Sequence, residues 1–248
     1  MYLTDVFKNE GNETFDWENY FSPDSHWDIT HHVDPIQLIA KLRKHLKENS
    51  FQLTFTLTRL MRELLKGIDI KNPKILELGA ATGFLSRWFL SQYGGSTLLV
   101  DKSKASFKAY SDMKDDIKRF ITYLNTDLFE LELEERFDLV CSFGLIEHFI
   151  DKRPVLAAHK KFVTADGMIV ILVPLDSPLS RAFLEVHPEL NLGYRELLTE
   201  KEFKKILVES GLDLVKTKVS QGFFFKYPAK FSVILSNAEV VLADNTIN

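Results

Sequence analysis

Ile75-Leu76-Glu77-Leu78-Gly79-Ala80-Ala81-Thr82-Gly83 decides how this sequence folds. An apolar run of strand length carries an acidic residue near its end, then a glycine turn, then the start of a helix. A second apolar run, Ser96–Val100, closes on Asp101. In an open α/β sheet, ligands sit beyond the carboxyl ends of the strands, where the strand order reverses. Gly79 lets backbone approach a ligand closely and tolerates positive φ. Gly83 lets the next helix begin hard against the sheet, and the free N–H groups at that helix start favour a carboxylate or phosphate.

Outward from this stretch the pattern is regular. Ile75–Leu78 reads as a strand and Phe84–Gln92 as a helix with Leu85, Trp88 and Phe89 inward. Ser96–Val100, Ile121–Asn125, Phe137–Phe143 and Met168–Val173 read as further strands. Helices are expected over Ser103–Asp116 and from about Asp151 to Val163, with a turn at Asp166-Gly167. Thr199-x-x-Glu202 is a capping box opening a helix that stops at Ser210-Gly211. Leu212–Val219 and Lys230–Leu235 close the chain as an antiparallel pair. Upstream, Asp34-Pro35 opens a helix. Residues 50–66 mix strand-like alternation with helical spacing and are assigned to a helix. The expectation is an α/β, Rossmann-like, doubly wound sheet of seven mostly parallel strands with one antiparallel strand, plus an N-terminal helical cap. Residues 1–70 form the cap and 71–248 the core, with a lid insertion at about 175–198.

Composition narrows the partners. With 248 residues, 45% of them hydrophobic, the chain can build a sizeable core. A net charge of −4 without a long basic block favours neither nucleic acid nor an anionic membrane. The single cysteine, Cys141, excludes an internal disulfide and any multi-cysteine zinc site, and is expected to be inert core. The acidic N-terminus lacks a secretory pattern, and the longest apolar run, Met168–Val173, is far too short to span a bilayer. A cytoplasmic protein, monomer or homodimer, is expected. His31-His32 has no acidic or cysteine partner at ligand spacing, so no metal is expected.

The turn also discriminates between ligands. Dinucleotide binders use Gly-x-Gly-x-x-Gly around a pyrophosphate, but here only Gly79 and Gly83 are present. Glu77 beside the turn would repel a pyrophosphate and welcome an ammonium group. Asp101 is placed to accept hydrogen bonds from ribose hydroxyls. Asp127 could accept from an adenine amino group, with Leu128 packed on the ring. Asp127 as the cap of a short helical turn would look the same.

Glu77-Leu78-Gly79-Ala80-Ala81-Thr82-Gly83 resembles motif I of the class I S-adenosylmethionine-dependent methyltransferases. Asp101, Asp127-Leu128 and Phe137–Phe143 fall where that family keeps its later motifs. The resemblance covers roughly residues 70–236. It departs at Ala80-Ala81, where many members carry a further glycine. It implies S-adenosyl-L-methionine as cofactor, S-adenosyl-L-homocysteine as product, and Glu77, Gly79, Ala80, Thr82, Gly83, Asp101, Lys102, Asp127, Leu128, Ser142 and Phe143 as the cofactor site.

Methyl transfer from a sulfonium is an in-line displacement in which the protein supplies alignment and desolvation. Aromatic candidates for a water-poor pocket are Trp17, Tyr20, Phe21 and Trp27, and Phe223–Phe225 with Tyr227. A hydroxyl or amine acceptor must lose a proton, and a histidine is the usual base. His148 leads, because Glu147-His148 follows the fourth strand and many relatives show such a pair there, sometimes catalytic and sometimes structural. His187, in the insertion, is second. Arg181, Tyr194 and Arg195 could hold a carboxylate. The acceptor is expected to be a small molecule or short peptide, methylated at oxygen or nitrogen. The alternatives are methylation of a protein or peptide terminus and a catalytically silent, cofactor-binding partner subunit.

Overall fold

The computed structural model describes residues 2–3, 17–20, 50–113, 115–178, 180–181, 193–225 and 233–244. The expected helix at Asp34-Pro35, the histidines at 26, 31, 32 and 187, and the aromatic residues 15, 21, 27 and 227 lie outside them. In chain order the elements are β1 (Tyr2–Leu3), α1 (Trp17–Tyr20), α2 (Ser50–Leu65), β2 (Lys74–Leu78), α3 (Phe84–Tyr93) and β3 (Ser96–Asp101). Then come α4 (Lys104–Ser111), α5 (Asp115–Lys118), β4 (Ile121–Asn125), β5 (Phe137–Phe143), a 3-10 turn at Ile146–His148 and α6 (Arg153–Phe162). The last are β6 (Val163–Pro174), β7 (Glu196–Leu197), α7 (Glu200–Glu209), β8 (Asp213–Phe225) and β9 (Val233–Asp244).

Seven of these strands share one sheet in the order β4-β3-β2-β5-β6-β9-β8. Neighbours from β4 to β6 are parallel, the Rossmann-like arrangement. β9 is antiparallel to both β6 and β8. The chain runs from β2 outward to β4 and then crosses back to β5 on the other side. The strand order therefore reverses between β2 and β5, and the opening there is the place for a ligand.

Alternation along the buried strands feeds two cores. Leu76, Leu78 and Val140 face α6 and α7, packing with Val155, Phe162, Phe203 and Leu207. Ile75, Leu139, Cys141 and Val170 face the other way, toward Leu85, Trp88 and Phe89 of α3. Leu60, Met61, Leu64 and Leu65 of α2 join this second core. At about 2 kcal/mol per buried side chain of this size, α2 is fastened to the sheet, although the expected boundary at residue 70 assigns it to the cap.

Four expectations need correction. The helix expected over Ser103–Asp116 breaks into α4 and α5. The Ser111 hydroxyl donates to the Phe107 carbonyl, a local bond that helps end the helix before Asp112. The expected turn at Asp166-Gly167 lies inside a continuous β6, as a register irregularity in which Phe137 pairs Val163 and Leu139 pairs Met168. The helix expected from about Asp151 starts later, at Arg153, where Pro154 sits in the first turn. The closing strand expected over Lys230–Leu235 runs over Val233–Asp244. The Thr199–Glu202 capping box forms with both of its reciprocal bonds.

Candidate active site

A cleft opens at the carboxyl ends of the strands, lined by Gly79, Val100, Asp101, Lys102, Thr126, Asp127, Leu128, Leu145, Phe149 and Trp17. Gly79, Asp101, Lys102, Asp127 and Leu128 are thus brought together from the ends of β2, β3 and β4, as the sequence suggests. Gly79 holds φ +61°, and a Cβ there would stand 2.5 Å from Leu145 Cδ1. A bare Cα is what lets Leu145, arriving after β5, close against the turn. Gly83 holds φ +77°, with Leu99 where its side chain would be. Between them Ala81 holds φ +47°, a conformation that costs a non-glycine residue energy.

Asp101 fixes this turn. Its Oδ2 accepts the Ala81 N–H and its Oδ1 the Ser103 N–H, both at 2.8 Å. Burial pushes its carboxyl up to about 6, against the lowering effect of those two donors. A carboxylate offers about four acceptor positions, so it can still receive ribose hydroxyls from the cleft. Asp127 accepts the Phe129 N–H at 2.9 Å and so caps its own turn, while Oδ2 stands 3.7 Å from Lys102 Nζ. Asn125 binds the carbonyls of Asp101 and Ser103, joining the loops after β3 and β4.

Other expected residues lie elsewhere. Glu77 does not face the cleft. On a strand, residues two apart share a face, so Glu77 follows Ile75 toward α3. There its carboxylate accepts the N–H groups of Leu85 at 3.3 Å and Ser86 at 2.8 Å. It caps the helix from below, and burial pushes it up to about 7. Ala80 and Thr82 are buried beneath the turn. Ser142 is fully buried and bonded to His159 Nε2 at 2.9 Å. Phe143 packs on Phe84 at 5.7 Å between ring centroids. Neither lines the cleft.

His148 is 1% exposed and sits behind the cleft wall. Its Nδ1 lies 2.9 Å from the Tyr194 carbonyl, which requires the proton on Nδ1 and leaves Nε2 as an acceptor. Burial, helped by Arg195, holds it well below the ordinary histidine range, so the ring is neutral. It meets Trp17 edge-on, centroids 4.8 Å apart at 70°. Beneath lie Glu147, pushed up by burial to about 7, and an ion pair between Lys152 and Glu196 that also receives the Tyr194 hydroxyl. Arg195 is buried nearby, whereas Arg181 is held by both oxygens of Asp176 at 2.6 Å.

Two residues were missed in the sequence. His159 lies on the same face of α6 as Val155 and Phe162, and a histidine on an apolar helix face signals a buried polar contact. Glu18 stands out only by its place beside Trp17. Among the described residues no group of acidic, cysteine or histidine side chains could hold a metal ion. No helix there is long and apolar enough to cross a membrane.

The comparisons agree with this geometry. A family model described as a methyltransferase domain matches residues 52–217. A ubiquinone biosynthesis O-methyltransferase from Rickettsia typhi is 22% identical over 213 residues, 81% of this chain and 77% of that protein. The glycopeptide N-methyltransferase MtfA, solved with S-adenosyl-L-methionine, superposes with a TM-score of 0.55 at 17% identity, covering 76% of this chain and 92% of that one. TehB from Haemophilus influenzae superposes equally well, TM-score 0.55 at 17% identity, over 80% of this chain and 66% of that one. With its motif I turn at the strand-order reversal and a family match over most of its length, the chain belongs to the methyltransferase domain family.

Proposed function

We propose that the cleft binds S-adenosylmethionine and that the enzyme moves its methyl group to an oxygen or nitrogen of a small molecule or short peptide. One observation carries this reading: Asp101, Asp127 and Leu128 line a single cleft where the strand order reverses. The donor set suits the cofactor. Asp101 offers acceptors for a ribose diol, Asp127 one for an adenine amino group, and Val100, Leu128, Leu145 and Phe149 apolar walls for the ring. When bound, the cofactor supplies an electrophilic methyl group: the acceptor's lone pair forms the new C–O or C–N bond, the C–S pair returns to sulfur, and the acceptor's proton passes to a base or water. The chain's own part is to orient the adenosyl group and exclude water.

The cap (residues 1–70) and the segment at about 175–198 are the parts of the chain assigned to the methyl acceptor, and the 71–248 core, with its seven-stranded sheet and one antiparallel strand, is assigned to the cofactor. Relatives named as ubiquinone O-methyltransferases favour oxygen as the methylated atom. His148 supports the cleft wall through Trp17, because its ring is buried and does not line the cleft. His187 remains the other candidate base.

The test is methyl transfer from S-adenosylmethionine labelled on its methyl group, in the presence of a cell extract. Label in the small-molecule fraction that extracts into organic solvent supports the reading. Label confined to protein assigns the chain to polypeptide termini. Cofactor binding without any transfer assigns it to the silent partner subunits.

A further inference from the structure

Two adjacent residues of α1 reach opposite lips of the cleft. Glu18 accepts the N–H groups of Lys104 at 2.7 Å and Ala105 at 2.8 Å, on the lip after β3. Trp17 lines the cleft and meets the edge of His148, on the lip after β5. β3 and β5 flank β2 in the sheet, so α1 crosses above the turn at Gly79.

The Glu18 contact completes a helix end. An α-helix begins with four backbone donors that have no partner of their own. In α4 the Ser103 N–H goes to Asp101 and the Ser106 N–H to the Ser103 hydroxyl. Glu18 takes the other two. Charge-assisted bonds of this kind, at the positive end of the helix dipole, are among the stronger ones available to a surface carboxylate.

We propose that Trp17 is a cofactor-contacting residue that roofs the cleft over the adenosyl group, and that Glu18 is the positioning residue that holds it there. The proposal rests on the cofactor reading above and adds its closing element. An indole over the cleft removes water from the ligand's apolar face. A carboxylate bound to α4 keeps the indole from swinging away when the ligand arrives. Both act on the cofactor rather than on the acceptor.

The test is calorimetric titration of the full chain with S-adenosylhomocysteine, together with thermal unfolding of each ligand-free variant. Glu18→Gln is expected to bind about tenfold more weakly, since the charged acceptor of two N–H groups is lost. Trp17→Ala is expected to lose at least as much, and Trp17→Phe to recover most of it. Because Glu18 acts through Trp17, the double variant Glu18→Gln/Trp17→Ala should bind no more weakly than Trp17→Ala alone. In turnover Glu18→Gln should raise KM for the cofactor and leave kcat within about twofold. Lys104→Pro approaches the contact from the other side. It removes one donor at a first helical position that tolerates proline, follows an extended Ser103, and should weaken binding about threefold.

Equal affinity in wild type and Glu18→Gln overturns the proposal. So does a double variant that loses the full sum of both single losses. A lower unfolding temperature with unchanged affinity assigns α1 a structural role only and overturns it too. Wild type that binds no S-adenosylhomocysteine overturns the cofactor reading itself, whereas binding that is blind to every variant overturns the roof alone.

Discussion

Ala81 and Asp101 hold each other in place: the Ala81 N–H donates to Asp101 Oδ2 at 2.8 Å, with Ala81 at φ +47°. The turn after β2 and the end of β3 are thereby one unit. The left-handed backbone at Ala81 persists because that bond and the neighbouring glycines over-determine it.

Ala81→Gly should therefore stabilise the protein. Glycine adopts this φ without the Cβ penalty, and part of the gain is returned as unfolded-chain entropy. The net expectation is about 1 kcal/mol, read as a higher urea midpoint with an unchanged slope.

Asp101→Asn should act on both the turn and the ligand. An amide has one oxygen to offer where two N–H groups and a ribose diol compete. Stability should fall by about 2 kcal/mol and S-adenosylhomocysteine affinity by at least tenfold. Asp101→Ala should lose more of both.

Glu77 separates capping from ligand binding. Glu77→Gln should leave S-adenosylhomocysteine affinity within about threefold, because the carboxylate faces α3. Its effect is on pH dependence. Burial raises the folded-state pKa from 4.5 to about 7, so the folded chain holds this proton more tightly than the unfolded one. The stability this contributes is complete below about pH 4.5 and is lost as pH rises through 7, an amplitude of about 3 kcal/mol. Urea midpoints between pH 5 and 8 should slope less steeply in the glutamine variant.

His159 works in the opposite sense. Burial lowers its pKa from 6.5 to about 4, so the folded state refuses a proton that the unfolded state accepts. Its contribution is complete above pH 6.5 and is lost as pH falls toward 4, again about 3 kcal/mol. His159→Leu should be less stable than wild type at pH 8, by about 2 kcal/mol for the unpaired Ser142 hydroxyl. The gap should narrow on acidification.

His148→Gln tests support against base catalysis. As support for Trp17, His148 should cost less than about tenfold in kcat when replaced, with KM for the cofactor raised. A loss above about a hundredfold in kcat with KM unchanged would restore it as a general base.

Much of this site was legible in the sequence because short-range rules govern it. An apolar run, a glycine turn and an acidic strand end place Gly79 and Asp101 without knowledge of the rest. Glu77 reads as a cleft residue by its closeness to Gly79, but the period of two that puts Ile75 against α3 also puts Glu77 there. At Ser142 and Phe143 too, alternation near a strand end decides between cleft and core. Trp17 was visible only as one aromatic among several in a segment without periodicity. Its place depends on a Glu18 contact 86 residues away in sequence. The break between α4 and α5 leaves no mark in the hydrophobic periodicity.

The most direct test is a crystal of the full chain grown with S-adenosylhomocysteine. The account predicts the ribose on Asp101, the adenine between Asp127 and Leu128, and the indole of Trp17 closed above them. A ligand seated elsewhere, or a cleft filled by the protein's own side chains in its presence, would contradict it.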